Sequence, residues 1–302
     1  MKKWYVFLFL ILFVVTAGFT LVSQDFSDVQ IKTTHIAGNI HMLEGQGGNI
    51  AVSVGEDGVV MVDDQFAPLA DKIRTAIAEL GGETPKFILN THWHPDHTDG
   101  NVKFAEDGTI VAHDNVRKRL MVKSYTAISP EGSGPAPEEA WPVITFDKSL
   151  SIHMNGEEIK VLHYPNGHTD GDAVIYFTGS NVVHMGDDFF AGIFPFVDLI
   201  NGGSVQGLTE NVGKIIDELP PDVKIIPGHG PLSSIEDLKD YHRMLQETTQ
   251  IVQGHMEKGK NLADIQATGL PDEYEQLGKG FIKTDFWIET IYKSLSEKTT
   301  QK

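Results

Sequence analysis

Three imidazoles and a carboxylate crowd into six positions, His92, His94, Asp96 and His97, directly after the short apolar run Phe87–Leu89. A buried strand that runs into such a cluster has to end at a polar site, because unpaired imidazoles and carboxylates are costly to bury. In extended chain alternate side chains share a face, so His92, His94 and Asp96 are expected to point together, with Trp93 turned away. Imidazole and carboxylate are the donors that zinc takes when no thiolate is at hand. This chain has no cysteine at all. The same lack rules out disulfide staples, a thiolate nucleophile and a lipid anchor on cysteine.

The flanking sequence alternates strand and helix patterns. Ile50–Val54 and Val59–Val62 read as neighbouring strands joined through Gly55–Gly58, with Asp63 and Asp64 at the end of the second. Phe66, Leu69, Ala70, Ile73, Ala76, Ile77 and Leu80 repeat at helical spacing; Pro68 suits the first turn, and Gly81 and Gly82 stop the helix. The order recurs downstream, where a stripe from Leu208 to Leu219 precedes the strand Val223–Ile226, which ends at Pro227-Gly228-His229. Ser124–Pro142 and Phe189–Ser204 read as loops, long enough to serve a site. Beyond them, Ser233 and Glu236 have capping-box spacing before the stripe Leu238, Tyr241, Leu245, and Phe281–Leu295 reads as a terminal helix.

Lys2 and Lys3, the apolar run Trp4–Val15 and the small residues Thr16, Ala17 and Gly18 form the pattern of a secretory signal. Phe19–Val22 extends the run toward the ~20 residues that span a bilayer, so residues 1–23 are a signal peptide or an uncleaved membrane anchor. Either reading exports residues 28–302 to the periplasm or the exterior, and membrane contact is expected only through that segment. The remainder, 40% hydrophobic over the whole chain, is ample for a catalytic domain with a helical C-terminal tail. A formal net charge of -18 repels phosphate backbones and counts against nucleic acid as a partner. A small-molecule substrate is expected instead.

His92-x-His94-x-Asp96-His97 resembles the HxHxDH hallmark of the metallo-β-lactamase superfamily. The other pieces follow in order: His168 in Asn166–Asp172, Asp187 in the Gly186-Asp187 pair, and His229 in Pro227–Gly230. The resemblance runs from about Ile31 to Gly230. It implies an α/β (α+β) fold, a four-layer αββα sandwich of two mixed sheets with outer helices. It also implies two Zn2+, although iron or manganese suits the same donors. By that likeness His92, His94 and His168 hold one ion, and Asp96, His97 and His229 the other. Asp187 bridges them, and Asp63 stands behind, orienting an imidazole. Asp96 and Asp187 would serve catalysis, in which a metal-bridging hydroxide attacks a carbonyl. The implied substrate is a β-lactam, lactone or ester. Asp187 stands where the clinical β-lactamases carry cysteine, and Phe190 where they often carry a lysine that grips the lactam carboxylate. Relatives also include glyoxalase-II-like thioesterases and iron-dependent or flavin-partnered oxidoreductases. Phe189, Phe190, Ile193, Phe194 and Phe196 suggest an apolar part of the substrate, with about half of them read equally well as core. The other histidines, His184 among them, are read as structural.

Overall fold

Strand residues with both faces apolar need cover on both sides, and two sheets with outer helices supply it. The computed structural model describes residues 25–300, with side chains to 296; the segment 1–23 lies outside the described residues. The first sheet has seven strands in chain order: β1 (Lys32–Ala37), β2 (Ile40–Glu44), β3 (Ile50–Gly55), β4 (Gly58–Val62), β5 (Pro85–Leu89), β6 (Thr109–His113) and β7 (Ile144–Phe146). Pairing is antiparallel from β1 to β4 and parallel from β4 to β7. The second sheet holds β8 (Ser149–Met154), β9 (Glu157–His163), β10 (Ala173–Phe177), β11 (Val182–His184), β12 (Lys224–Ile226) and β13 (Ser233–Ser234). There only β11 and β12 run parallel.

Eight α-helices are found among the described residues: α1 (Ala70–Glu79), α2 (Pro95–Thr98), α3 (Asn101–Phe104), α4 (Asp114–Leu120), α5 (Val205–Glu218), α6 (Ile235–Glu257), α7 (Leu262–Thr268) and α8 (Thr284–Thr300). None of these is long and apolar enough to cross a membrane.

β4 shows how the layers arise. Val60 and Val62 pack inward on Ile175, Phe177 and Ile226 of the other sheet. Val59 and Met61 turn outward onto Ile73 and Ile77 of α1. The period-two pattern thus buries both faces at once. On the far side, Val183 and Ile225 meet Leu208 and Val212 of α5, Leu238 and Leu245 of α6, and Trp287 of α8. The result is the expected αββα sandwich.

Local boundaries differ from expectation in two places. The capping box of α6 is Ser234 with Asp237, one residue beyond Ser233 and Glu236; the Ser233 hydroxyl donates to Pro231 O instead. The last helix begins at Thr284, not Phe281, and Phe281 is left exposed.

Candidate metal centre

The functional side chains all leave the carboxyl ends of strands, on one edge of the sandwich. Asp63 follows β4, His92 to His97 follow β5, Asp187 follows β11 and His229 follows β12, while His168 lies in the β9–β10 loop. In open sheets with parallel strands this end is where ligands collect. The two halves are tied across the edge by Asn49. Its N–H donates to Gly228 O (2.7 Å), its amide to Pro227 O and Gly230 O (2.9 Å each), and its carbonyl meets His184 Nε2 at 2.9 Å. His184 is therefore a strut of the edge and not a ligand.

The predicted residues converge into two groups. His92, His94, His168 and Asp187 bring four donor atoms within 4.8 Å of one another, as do Asp96, His97 and His229 with three. Asp187 divides its carboxylate between them. Oδ2 lies 3.4 Å from His168 Nε2 and 3.8 Å from His92 Nε2, and Oδ1 lies 3.1 Å from His97 Nε2 and 3.4 Å from His229 Nε2. Asp188 turns away, accepting from the His168 N–H.

The way Asp96 reaches the cluster differs from expectation. The extended chain stops short, and Pro95 starts a helical turn, so Asp96 and His97 are adjacent residues of α2. Alternation therefore describes His92 and His94 only. Trp93 does not turn away either; its ring packs edge-on to His94, with centroids 4.6 Å apart.

The outer ring nitrogens settle the tautomers. His168 Nδ1 donates to Phe196 O (2.7 Å), His97 Nδ1 to Asp63 Oδ2 (2.7 Å) and His94 Nε2 to Asp198 Oδ2 (3.0 Å), since carbonyls and carboxylates only accept. The Thr91 hydroxyl spends its proton on Asp63 Oδ2 (2.8 Å), so it accepts from His92 Nδ1 at 3.0 Å. On each of these rings in its neutral form the inner nitrogen then carries a lone pair. Those lone pairs face each other: His94 Nδ1 is 2.8 Å from His168 Nε2 and 3.1 Å from His92 Nε2. Buried Asp187 Oδ1 also lacks a hydrogen-bond partner. Converging nitrogen lone pairs and an orphaned carboxylate oxygen are what a divalent cation satisfies, and three nitrogens with one oxygen suit zinc among others.

Electrostatics agree. Burial, then the neighbouring His97, holds His92 well below its ordinary range, and burial takes His168 down to about 4. Burial also opposes charge on His97 and His229. There Asp187 and Asp96 outweigh it, holding His97 well above its ordinary range and His229 at about 9. Against its own burial, Asp187 is pulled well below the carboxylate range, by His229 and then His97. The field at the centre of the cluster favours a positive charge.

Above the cluster is a cavity of about 120 Å³ whose wall includes Trp93, Thr126, Ile128, Phe196 and Phe281. Of the five aromatic-loop residues read as substrate wall or core, only Phe196 lines it. Phe189, Phe190 and Phe194 are core, packed with α6 and α8, and Phe190 stacks on His229 with centroids 5.1 Å apart. Ile193 packs against the same core. The Ser124–Pro142 loop supplies the opposite wall.

Sequence reasoning missed Asn49, Asp198, Ile128 and Phe281. Asp198 sat inside a segment already marked as a loop serving a site, but no spacing linked it to His94, 104 residues away.

Comparison with known proteins agrees with this geometry. A family model described as the metallo-beta-lactamase superfamily matches residues 43–229. An uncharacterized protein of Aquifex aeolicus is 31% identical over 145 residues, covering 47% of this chain and 66% of that one. A hydroxyacylglutathione hydrolase of Synechococcus sp. is 30% identical over 125 residues, 41% of this chain and 42% of its own length. The chain thus spans less than two thirds of either relative. Among solved structures, a metallo-beta-lactamase from Pontibacter korlensis superposes with a TM-score of 0.59 at 16% identity, over 72% of this chain and 99% of that one. The sec-alkylsulfatase Pisa1 from Pseudomonas sp. gives 0.64 at 14% identity, over 87% of this chain and 50% of its own. At these identities the structures speak for the fold alone.

Proposed function

The chain belongs to the metallo-beta-lactamase superfamily, a family of enzymes that act on small molecules, and we propose that it is an exported hydrolase dependent on two zinc ions. One observation carries the reading: the carboxylate of Asp187 is split between two separate groups of ligand atoms. His92, His94 and His168 would hold one ion, Asp96, His97 and His229 the other, and Asp187 both. Such ions lower the pKa of water and polarise a carbonyl oxygen.

The rest of the work falls to this chain's residues. Asp198, Asp63, Thr91 and the Phe196 carbonyl hold the outer ring protons and so keep the inner nitrogens free to bind. The carboxylate of Asp96, about 2 in pKa against burial because His97 and His229 are near, stays an acceptor and is the group at the cavity wall suited to orient a water proton.

The substrate class is an ester, thioester or lactone. Asp187 in place of a cysteine, and the hydrolase named for the Synechococcus relative, favour these over β-lactams. The export reading rests on Lys2, Lys3 and the apolar run after them.

The test is turnover of a chromogenic cephalosporin and a parallel ester, thioester and lactone panel by the zinc-loaded protein, with a chelator control and a His94→Ala variant. Chelator-sensitive hydrolysis of any panel member, lost in the variant, is expected. No hydrolysis of the panel by protein carrying two ions would overturn the proposal.

A further inference from the structure

The cavity over the metal centre offers an anionic substrate the hydroxyls of Ser124, Thr126, Ser129 and Ser133 but no cationic side chain outside the ligand groups. Among the described residues lining it there is no lysine or arginine; its titratable residues are His94, Asp96, Asp187 and His229, all ligands in the reading above. The nearby cations are committed elsewhere. Arg119 pairs with Asp170 (2.7 Å) and donates to Asn201 (2.8 Å). Lys123 lies over the Tyr125 ring at 5.1 Å, and Lys283 donates to Gly280 O at 2.7 Å. Phe190, packed flat on His229, offers no charge.

In their place the rim presents hydrocarbon. Ile128 and Phe281 both line the cavity and are each 53% exposed. Phe196 continues that surface inward, 5.7 Å from the His94 ring. The cavity, about 120 Å³ and open to solvent, is slightly smaller than the ~150 Å³ apolar cavity that accepts benzene. A chain with net charge -18 also repels anions at a distance.

We infer that the substrate is uncharged and carries a compact apolar acyl group, seated between Ile128, Phe196 and Phe281. A carboxylate seated among these three side chains would be desolvated without a charged partner. This would exclude acidic thioesters and carboxylate-bearing lactams as good substrates. The inference rests on the hydrolase reading for its chemistry, and the experiment separates the two.

Metal-loaded wild type and Ile128→Lys are given p-nitrophenyl butyrate and mono-p-nitrophenyl succinate, esters of similar size that differ in one carboxylate. Binding of the non-cleaved amides butyranilide and succinanilic acid is followed in parallel by ligand-observed NMR. In wild type kcat/KM for the neutral ester is expected to exceed that for the anion by about tenfold or more, as unpaired desolvation of a carboxylate costs. Ile128→Lys should narrow that ratio about threefold through KM of the anion, the scale of an exposed ion pair. Equal or better turnover of the succinate ester by wild type overturns the inference. If neither ester is cleaved, a preference for butyranilide that the lysine variant reduces upholds the inference while the hydrolase reading falls. No preference between the amides then overturns both.

Discussion

Replacing Asp63 by Asn removes one proton acceptor and changes almost nothing else. Asp63 is fully buried and sits at φ 61, a left-handed conformation that Asn tolerates as well as Asp. Its carboxylate takes three bonds: Thr91 N–H at 2.7 Å on Oδ1, and the Thr91 hydroxyl (2.8 Å) and His97 Nδ1 (2.7 Å) on Oδ2. An amide cannot satisfy this set. With its NH2 toward His97, two donors meet, and relief comes only by moving the imidazole proton to Nε2, the nitrogen that faces the cluster. With its NH2 toward Thr91 N–H, two other buried donors meet. Either arrangement costs about 1–3 kcal/mol. The first converts that cost into metal affinity, an expected ~10–100-fold weakening at the Asp96–His97–His229 group, or about 1.4–2.7 kcal/mol. The group of His92, His94 and His168 should change less, since only His92 reaches Asp63, through the Thr91 hydroxyl. Competition titration with a chromophoric chelator resolves the two affinities. Unchanged affinity at both groups, with an unchanged melting temperature, would refute the tautomer argument.

Other perturbations follow from the same geometry. A Cβ at Gly48 would lie 2.1 Å from His97 Cε1, so Gly48→Ala should displace that ring, lower metal content and cost about 1–3 kcal/mol by overpacking; elemental analysis and a thermal melt check it. In metal-free protein, His168 has its pKa depressed by burial to about 4 from 6.5. Between those values the unfolded chain binds a proton that the folded one refuses, so stability falls as pH drops from 6.5 toward 4. The loss is about 3 kcal/mol at 1.36 per pKa unit. Denaturant melts of metal-free wild type should steepen across this window relative to His168→Asn, and parallel pH profiles would contradict the assignment. Trp287 is wholly buried and donates from Nε1 to Thr248 Oγ1 at 3.1 Å. Trp287→Ala should therefore cost about 3–5 kcal/mol, seen as a lower denaturant midpoint without loss of metal affinity at any temperature where the chain is folded.

The sequence exposed the parts of the site that depend on short spacing. The His92–His97 cluster and the strand ends before Asp63 and His229 could be read from local pattern, because a strand that ends in polar residues has few places to put them. The αββα layering came through resemblance; periodicity marked helix and strand but not which sheet each strand joins. Pairings such as β11 with β12, separated by all of α5, leave no local trace. The same limit hid Asp198, whose whole relation to His94 is made by the fold. It also left open which of the aromatics are core. Phe189, Phe190 and Phe194 look like Phe196 in sequence, and only burial against α6 and α8 separates core from cavity wall. Phe281, given to a helix by its apolar neighbours, is the residue that the turn before Thr284 leaves at the opening.

The most direct measurement is the metal content of the intact chain under native mass spectrometry, for wild type and Asp187→Ala after equilibration with zinc. Two ions per wild-type chain, and one or none in the variant, are predicted from a carboxylate shared between two ligand groups. A wild-type chain that binds a single ion, or an Asp187→Ala chain that holds two as tightly as wild type, would contradict a shared two-metal centre.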